Sequence, residues 1–223
     1  MARKKPYDDG CATAHALELV GERWALLIVR ELIPGPKRFS DLKAGLVGIS
    51  TNILTTRLTE LEAAHILVRR QLPPPAASQV YELTEWGADL EPLIKDLGRW
   101  AARSPSLPEG KPMSAASVML SFRTMFSPAS ARDAEMSLSL VLDGVPHRAT
   151  IENGALVIEV GEIAQADVEV TGDSNTLAAI VYGDLLLEDA EENGLAITGD
   201  RKLFQRFVGL FPLPERAPSS AKG

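Results

Sequence analysis

The chain has 223 residues, of which 45% are hydrophobic and 24% charged, as in soluble globular proteins of one large or two ordinary domains. No apolar run approaches the ~18 residues that a membrane span requires, and no apolar stretch of a signal peptide follows the basic residues at the start. The single cysteine excludes an internal disulfide framework and favours a reducing cytoplasm.

The net charge of −7 is unevenly distributed. Residues 1–104 contain 14 Lys and Arg against 13 Asp and Glu, whereas residues 105–223 contain 9 against 17. Because a local basic face, rather than the total charge, attracts nucleic acid, the overall acidity does not exclude a DNA-binding protein. The asymmetry indicates two domains with different roles.

A proline-rich stretch separates the two halves. Residues 104–112 contain three prolines and a glycine, which predicts an extended connector. We therefore expect a first domain over 8–104, a linker over 105–112 and a second domain over 113–213. The remainder, 214–223, is rich in Pro, Ser and Ala and is predicted to be a flexible tail.

The first half begins with two helical patterns, Ala12–Val20 and Trp24–Leu32, which have apolar residues at helical spacing. A Pro-Gly-Pro sequence then ends the second helix. Ser40 is expected to cap a short helix over 40–45, and residues 46–49 make a turn.

Ser50 is predicted to cap a longer helix that runs to about Ala64. Its core-facing stripe is expected to be Ile53, Leu54, Leu58 and Leu61. Its outward face is expected to be polar and consists of Thr51, Asn52, Thr55, Thr56 and Thr59. A short helix, a turn and a second helix of this kind can enter the major groove, where an asparagine can bond adenine in bidentate fashion. The alternative is an ordinary solvated helix face.

The next segments predict a wing. Residues 66–71 and 79–83 form two strands, joined by a proline-containing tip over 72–78. Arg69 and Arg70 lie at the base of this hairpin. Three further cations surround the preceding turn, namely Lys37, Arg38 and Lys43. These side chains could bind phosphates, which gives affinity and register without sequence information.

Thr84 is predicted to cap a long helix after the wing. Its apolar stripe consists of Trp86, Leu90, Leu93, Leu97 and Trp100. This stripe could be intramolecular core, but two tryptophans outside a small three-helix core favour burial in a homodimer.

Several separated blocks of the first half resemble the HxlR family of transcriptional regulators. They are Cys11, residues 16–24, 32–42, 48–50, 54–62 and 81–87. The resemblance covers about 8–103 and implies a dimeric winged helix that binds double-stranded DNA, with the helix from Ser50 in the major groove. It also implies that Arg57 either contacts DNA or braces that helix. His65 stands where a glycine is usual.

Cys11 has two interpretations. The resemblance implies that it could be an oxidation sensor, as in some members of the family. That role requires an exposed thiol of low pKa. Because His15 is offset by Asp8 and Asp9, the local charge does not clearly favour a thiolate, and we expect a buried structural cysteine.

The second half predicts an α+β domain, an antiparallel sheet with helices on one side. Helical patterns occupy residues 118–126, 174–182, which Ser174 would cap, and the segment after the capping residue Asp200. Strand patterns occupy 138–142, 145–151, 156–160, 166–171 and 195–198.

No catalytic constellation, metal site or cofactor motif is found in this half, so we expect no enzymatic activity. His147 has no neighbouring cysteine or second histidine. The acidic run over 184–192 is more typical of a solvated surface than of a metal site.

The segment 192–200, followed by Leu203 and Phe207, is similar to sterol-carrier-type lipid-binding domains, and this resemblance covers about 115–212. It implies an apolar cavity between sheet and helices. The candidates for its lining, or equally for plain core, are Met119, Phe122, Met125, Phe126, Phe204, Phe207 and Phe211.

Together these features predict a dimeric, repressor-type DNA-binding regulator. Its acidic second domain would sense an apolar small molecule or stabilise the dimer. The rival hypothesis is a lipid-binding or carrier protein that uses the winged helix for dimerisation or partner contact.

Overall fold

The computed structural model describes residues 7–74, 77–108 and 110–218. The chain divides into two compact units, one ending at Ile94 and the other beginning at Lys95. This division falls inside a helix and precedes the proline-rich connector predicted from the sequence.

The first unit is mainly helical. Its elements are α1 (Ala12–Val20), α2 (Ala25–Leu32), α3 (Phe39–Gly45), α4 (Thr51–Ala63), β1 (Leu67–Gln71), β2 (Gln79–Leu83), α5 (Glu85–Ala88) and the start of α6 (Leu90–Ala102). Strands β1 and β2 pair antiparallel, with Leu67 opposite Leu83. The predicted order of helix, turn, helix and wing is therefore confirmed.

The core of this unit forms where α2, α3 and α4 meet, and it includes Ile28, Leu42, Leu54 and Leu58. The predicted inward stripe of α4 is correct for Leu54, Leu58 and Leu61, which are almost fully buried. It is wrong for Ile53, which is 42% exposed. Ile53 precedes Leu54 by one residue, and the 100° turn between them takes it off the buried face.

The helix starts agree with the predicted caps in part. The Ser50 hydroxyl accepts a hydrogen bond from the Ile53 N–H at 3.2 Å and caps α4 as predicted. Ser40 is not a cap, because α3 begins one residue earlier. There the Asp41 carboxylate accepts from the N–H of Arg38, the true N-cap residue, at 3.1 Å. Thr84 does cap a helix, but that helix is interrupted at Asp89 between α5 and α6.

Three described non-glycine residues of this unit have positive φ, namely Trp24, His65 and Ala77. Trp24, the N-cap residue of α2, has φ +80°, and His65, just after α4, has φ +58°. Because Cβ crowds the backbone there, both positions favour glycine. The conformation of His65 gives the physical reason why glycine is usual at this place.

The second unit contains the rest of α6 and a helix-covered sheet. Its other elements are α7 (Ala115–Met125), β3 (Met136–Leu142), β4 (Val145–Glu152), β5 (Ala155–Val160), β6 (Val168–Gly172), α8 (Ser174–Tyr182), α9 (Leu187–Glu192), β7 (Ala196–Gly199) and α10 (Arg201–Val208). The N-cap residue of α8 is Asp173, not the predicted Ser174. The cap at Asp200 is confirmed, since its carboxylate accepts from two backbone N–H groups of α10.

The sheet has the order β5-β4-β3-β6-β7. The prediction of a purely antiparallel sheet is wrong, because β3 and β6 run parallel, with Leu138 opposite Val168. After the β3-β4-β5 meander the chain crosses back to the other side of β3, and this crossover makes β6 parallel to it. The fold class remains α+β.

One face of this sheet is buried. Met136, Leu138, Leu140 and Leu142 of β3 alternate with half-buried residues. They join a single apolar core with side chains of α7, α8 and α10. The sheet therefore has helices on one side, as the sequence predicts.

The described part of the tail is bonded to the end of α6. The N–H of Ala217 donates to the carbonyl of Arg103 at 2.7 Å, and the Arg216 guanidinium donates to the carbonyl of Ser104 at 3.2 Å. The prediction of a flexible tail lies partly outside the described residues, over 219–223. No helix among the described residues is long and apolar enough to cross a membrane.

Candidate nucleic-acid interface

Helix α4 presents a polar surface at its N-terminal half. Ser50, Thr51, Asn52 and Thr55 are exposed, and Thr56 is half-buried. The buried stripe on the opposite side holds the helix against the core. The predicted outward face therefore lies at the surface. The exposed Ile53 beside it was missed, since an isoleucine at helical spacing usually indicates core.

The threonine hydroxyls on this face have internal partners. Thr55, Thr56 and Thr59 donate to the carbonyl oxygens of Thr51, Asn52 and Thr55 at 2.9–3.0 Å. Since a carbonyl oxygen can only accept, each hydroxyl proton points along the helix. These hydroxyls offer acceptor lone pairs and methyl groups outward.

Arg57 ties α4 to the segment between α1 and α2. Its guanidinium donates to Glu22 at 3.1 Å and to Glu60, and its side chain is only 18% exposed. Of the two roles left open by the sequence, this geometry corresponds to bracing the helix. The partner of Arg57 that the sequence analysis missed is Glu22, which lies in the short segment before α2.

Lys37 and Arg38 also have protein partners. The Lys37 ammonium lies 2.8 Å from the carboxylate of Glu31, which is completely buried and also receives a bond from Arg30. Arg38 donates through Nε to the hydroxyl of Ser78 beside the wing tip, at 3.0 Å. Lys37 thus helps to satisfy a buried carboxylate, whereas Arg38 remains at the surface.

The two wing arginines are about half exposed. Arg69 lies 3.3 Å from Glu62 of α4, and Arg70 lies 2.7 Å from Glu82 on the facing strand. Ion pairs between exposed side chains contribute little stability, so such arginines can exchange a carboxylate for a phosphate at small cost. Together with α4, they form a surface on which cations flank a small-residue helix.

Cys11 differs from the expectation of a buried residue, because its side chain is exposed. It is the N-cap residue of α1. The N–H and hydroxyl groups of Thr13 and the N–H of Ala14 stabilise the thiolate and lower the pKa of this thiol. The amides of a helix N-terminus, rather than side-chain charges, therefore provide the favourable environment.

Apolar surface remains on helices of the first half. No residue of α1, all of which the structure describes, is buried, although six of its nine residues are Ala, Leu or Val. The predicted stripe after the wing is also exposed: Trp86 is 53%, Leu93 63%, Leu97 48% and Trp100 72% exposed. Leu90 alone in that stripe packs against the core of the first unit.

The candidate ligand-binding residues of the second unit pack against one another. The rings of Phe122 and Phe211 stack at 4.5 Å, and Phe207 meets both of them edge-on. Met119 and Phe204 are buried in the same core, while Met125 and Phe126 are partly buried at its border. Most of the candidate ligand-binding residues are therefore ordinary core residues. Among the described residues no group of three acidic, histidine or cysteine side chains could hold a metal ion.

Comparison with known proteins assigns the two parts separately. Residues 19–106 match the HxlR-like helix-turn-helix family, and residues 113–217 match the alkyl sulfatase C-terminal family. The second match is not to a sterol-carrier family, so the predicted sterol-carrier resemblance is not confirmed. A solved variant of the sec-alkyl sulfatase PisA1 is 28% identical over 43% of this chain and 15% of its own, with a TM-score of 0.36.

The relatives of the first part are regulators. The uncharacterized HTH-type transcriptional regulator YvaP of Bacillus subtilis is 35% identical over 39% of this chain and 80% of its own. The reduced form of the transcriptional regulator YodB from B. subtilis is 34% identical and covers 44% of this chain and 97% of its own, with a TM-score of 0.40. With its helix-turn-helix, its wing and this identity to regulators of the same kind, the chain belongs to the HxlR-like helix-turn-helix family of transcriptional regulators.

Proposed function

We propose that this protein is a dimeric, sequence-specific DNA-binding repressor. The observation that carries the proposal is the exposed polar face of α4, which starts at the Ser50 cap beside an arginine-bearing wing. In this arrangement α4 enters the major groove with its N-terminal residues toward the bases. Arg69, Arg70 and Arg38 contact phosphates on either side of the groove.

The DNA-binding test measures affinity and salt dependence on the promoter of the protein's own gene. Wild type should give a specific complex. Asn52→Ala should relax discrimination at one base pair by ~1–3 kcal/mol. Arg69→Ala should weaken binding to all sequences and reduce the salt slope by about one unit. Arg132→Ala, an exposed cation of the second unit, is the matched control and should change neither.

The rival hypothesis of a lipid-binding carrier predicts no specific complex under any salt condition. That result would overturn the proposed function. A specific complex that Asn52→Ala left unaltered would instead show that another element reads the bases.

The dimer is proposed from the apolar surfaces of α1 and α6. Water-exposed Leu97 and Trp100 on α6, and an α1 without buried residues, are unfavourable in a monomer, and a two-fold symmetric partner would cover both copies at once. Two half-sites one helical turn apart would then face two α4 helices ~34–36 Å apart.

Sedimentation of the full chain tests the dimer. Wild type should sediment as a dimer at micromolar concentration, and Trp100→Glu should shift it toward the monomer. Leu186→Glu, which alters a leucine that is 64% exposed in the second unit, is the matched control. A wild type that remains monomeric at tens of micromolar would contradict the proposal.

The second unit is proposed to bind an apolar effector. The match to the alkyl sulfatase C-terminal family and the concentration of methionine and phenylalanine in one core support an alkyl-chain molecule. Such a molecule would enter at the core border near Met125 and Phe126, and it would change DNA affinity only by favouring one arrangement of the dimer.

Native mass spectrometry of the purified chain, followed by DNA titration with and without dodecanol, tests the effector. A retained or added apolar ligand that changes operator affinity supports it. Unchanged mass and unchanged affinity at dodecanol saturation would leave the second unit with a structural role.

A further inference from the structure

The groups that α4 offers to DNA are unevenly divided between donors and acceptors. Asn52 is its single side-chain N–H donor apart from Arg57, and the Arg57 guanidinium is held by Glu22 and Glu60. Thr55 and Thr56 have their hydroxyl protons bound to carbonyl oxygens of the preceding turn. Beyond its first residues the face therefore presents one amide, acceptor oxygens and methyl groups, whereas Ser50 and Thr51 at its start have hydroxyl groups that can also donate.

This composition matches one kind of base pair. The major-groove edge of guanine offers only acceptors, N7 and O6, which require donors such as arginine or lysine. An adenine offers N7 and the N6 amino group, and its partner thymine offers a methyl group. A hydroxyl that can only accept is compatible with the amino groups of adenine and cytosine but is repelled by O6 of guanine, so it disfavours a G·C pair where it faces the guanine.

The exposed apolar groups of α4 also favour A·T pairs. Ile53 is 42% exposed on the first turn of α4, beside the polar face. A side chain of this kind is costly in water but favourable against thymine methyl groups. The methyl groups of Thr55 and Thr56 add to the same apolar contact.

We infer that α4 reads A·T pairs, with Asn52 bonded to an adenine and with Thr55 and Thr56 as acceptor-and-methyl groups that exclude guanine. This inference rests on the proposed DNA-binding function and adds the chemistry of the half-site. Thr55 and Thr56 determine specificity because their hydroxyl protons are bound within the helix, which leaves only acceptor lone pairs for the base. Each good contact changes affinity for the wrong base pair by about 5- to 150-fold.

The test is in vitro selection from a random duplex pool with the full chain, followed by competition binding on the selected half-site. Wild type should enrich A·T pairs at adjacent positions of each half-site. Asn52→Ala should lose the preference at one of them, and Thr56→Val, which keeps the shape but removes the acceptor, should admit G·C at another. Thr171→Val, an exposed threonine of the second unit, is the control and should select the wild-type sequence.

The possible failures are distinguishable. If wild type enriches no sequence, the proposed function itself fails. If it enriches a sequence whose positions affected by Asn52→Ala or Thr56→Val are G·C pairs, the inference is overturned and the function stands. The same holds if an A·T-rich sequence is enriched but neither variant alters it, because the preference then comes from DNA shape.

Discussion

In the first unit, Leu17, Trp86 and Leu93 are about half exposed or more, whereas the rings of Phe122, Phe207 and Phe211 in the second are enclosed by one another. Cations of both units pair within their own unit, as Lys37 does with Glu31 in the first and Arg201 with Glu191 in the second. The first unit leaves large apolar side chains at its surface. The second unit encloses its phenylalanine rings by itself, although Trp100 and Leu186 remain at its surface.

The largest effect is expected from a substitution in the aromatic core of the second unit, which tests whether this core stabilises that unit independently of the first. Phe122→Ala removes a ring that packs against Phe207, Phe211 and Tyr182, and should lower the free energy of unfolding by about 3–5 kcal/mol. Urea denaturation followed by circular dichroism measures the loss. Phe126→Ala, at the core border, should cost less.

When Trp100, which lies in the second unit, is replaced by phenylalanine, the fluorescence of Trp24 and Trp86 reports the first unit separately. We expect its transition to stay in place in Phe122→Ala. An equal shift of the circular dichroism and fluorescence transitions would mean that the two units unfold together and that their stabilities are not independent.

A smaller effect is expected when a cation is removed from the first unit. Lys37→Met leaves the buried Glu31 with one fewer charged hydrogen-bond donor, so the free energy of unfolding should fall by about 1–3 kcal/mol. Thermal unfolding measures it, with Lys43→Met on α3 as the control. If instead only the salt slope of DNA binding changed, Lys37 would be a phosphate contact and not a structural residue.

The backbone strain after α4 predicts a stabilising substitution. His65→Gly relieves a left-handed conformation at φ +58°, and the gain of about 1–2 kcal/mol is partly offset by the greater freedom of glycine in the unfolded chain. A net gain of about 0.5–1 kcal/mol is expected in chemical denaturation. Ala63→Gly, inside α4, should destabilise by a similar amount. Loss of stability in both variants would show that the His65 side chain itself contributes to the fold.

The smallest effect concerns the thiol of Cys11. Its pKa lies below the ordinary value because N–H and hydroxyl groups of the first turn of α1 stabilise the thiolate. The pH profile of iodoacetamide alkylation should therefore have its midpoint below that of an unstructured cysteine peptide. Thr13→Val removes one of these donors and should raise the midpoint. Coincident profiles for protein and peptide would remove support for a redox role.

The features that the sequence predicted well depend on local rules. The caps at Ser50, Thr84 and Asp200 each require a short polar side chain at the first residue before a helix, and the structure has all three bonds. The wing follows from two β-type runs around a proline-containing tip. For this reason the position of the candidate DNA-binding surface was accessible from sequence.

The features that sequence missed depend on distant partners. The exposure of Cys11 results from how little of α1 packs on the first unit. The engagement of Lys37 depends on a carboxylate six residues earlier on another element. Parallel pairing of β3 with β6 joins residues about thirty positions apart, and the alternation of apolar residues along a strand does not encode direction.

The hydrogen bond from Ala217 to Arg103 brings the entry and the exit of the second unit together. A segment whose two ends meet can be inserted into a surface loop, appended to a terminus or excised without stretching the host chain. Residues 113–217 of this chain match the family that is named for the C-terminal part of alkyl sulfatases. The closeness of Arg103 and Ala217 is therefore the kind of geometry that tolerates transfer of a segment from one protein to another.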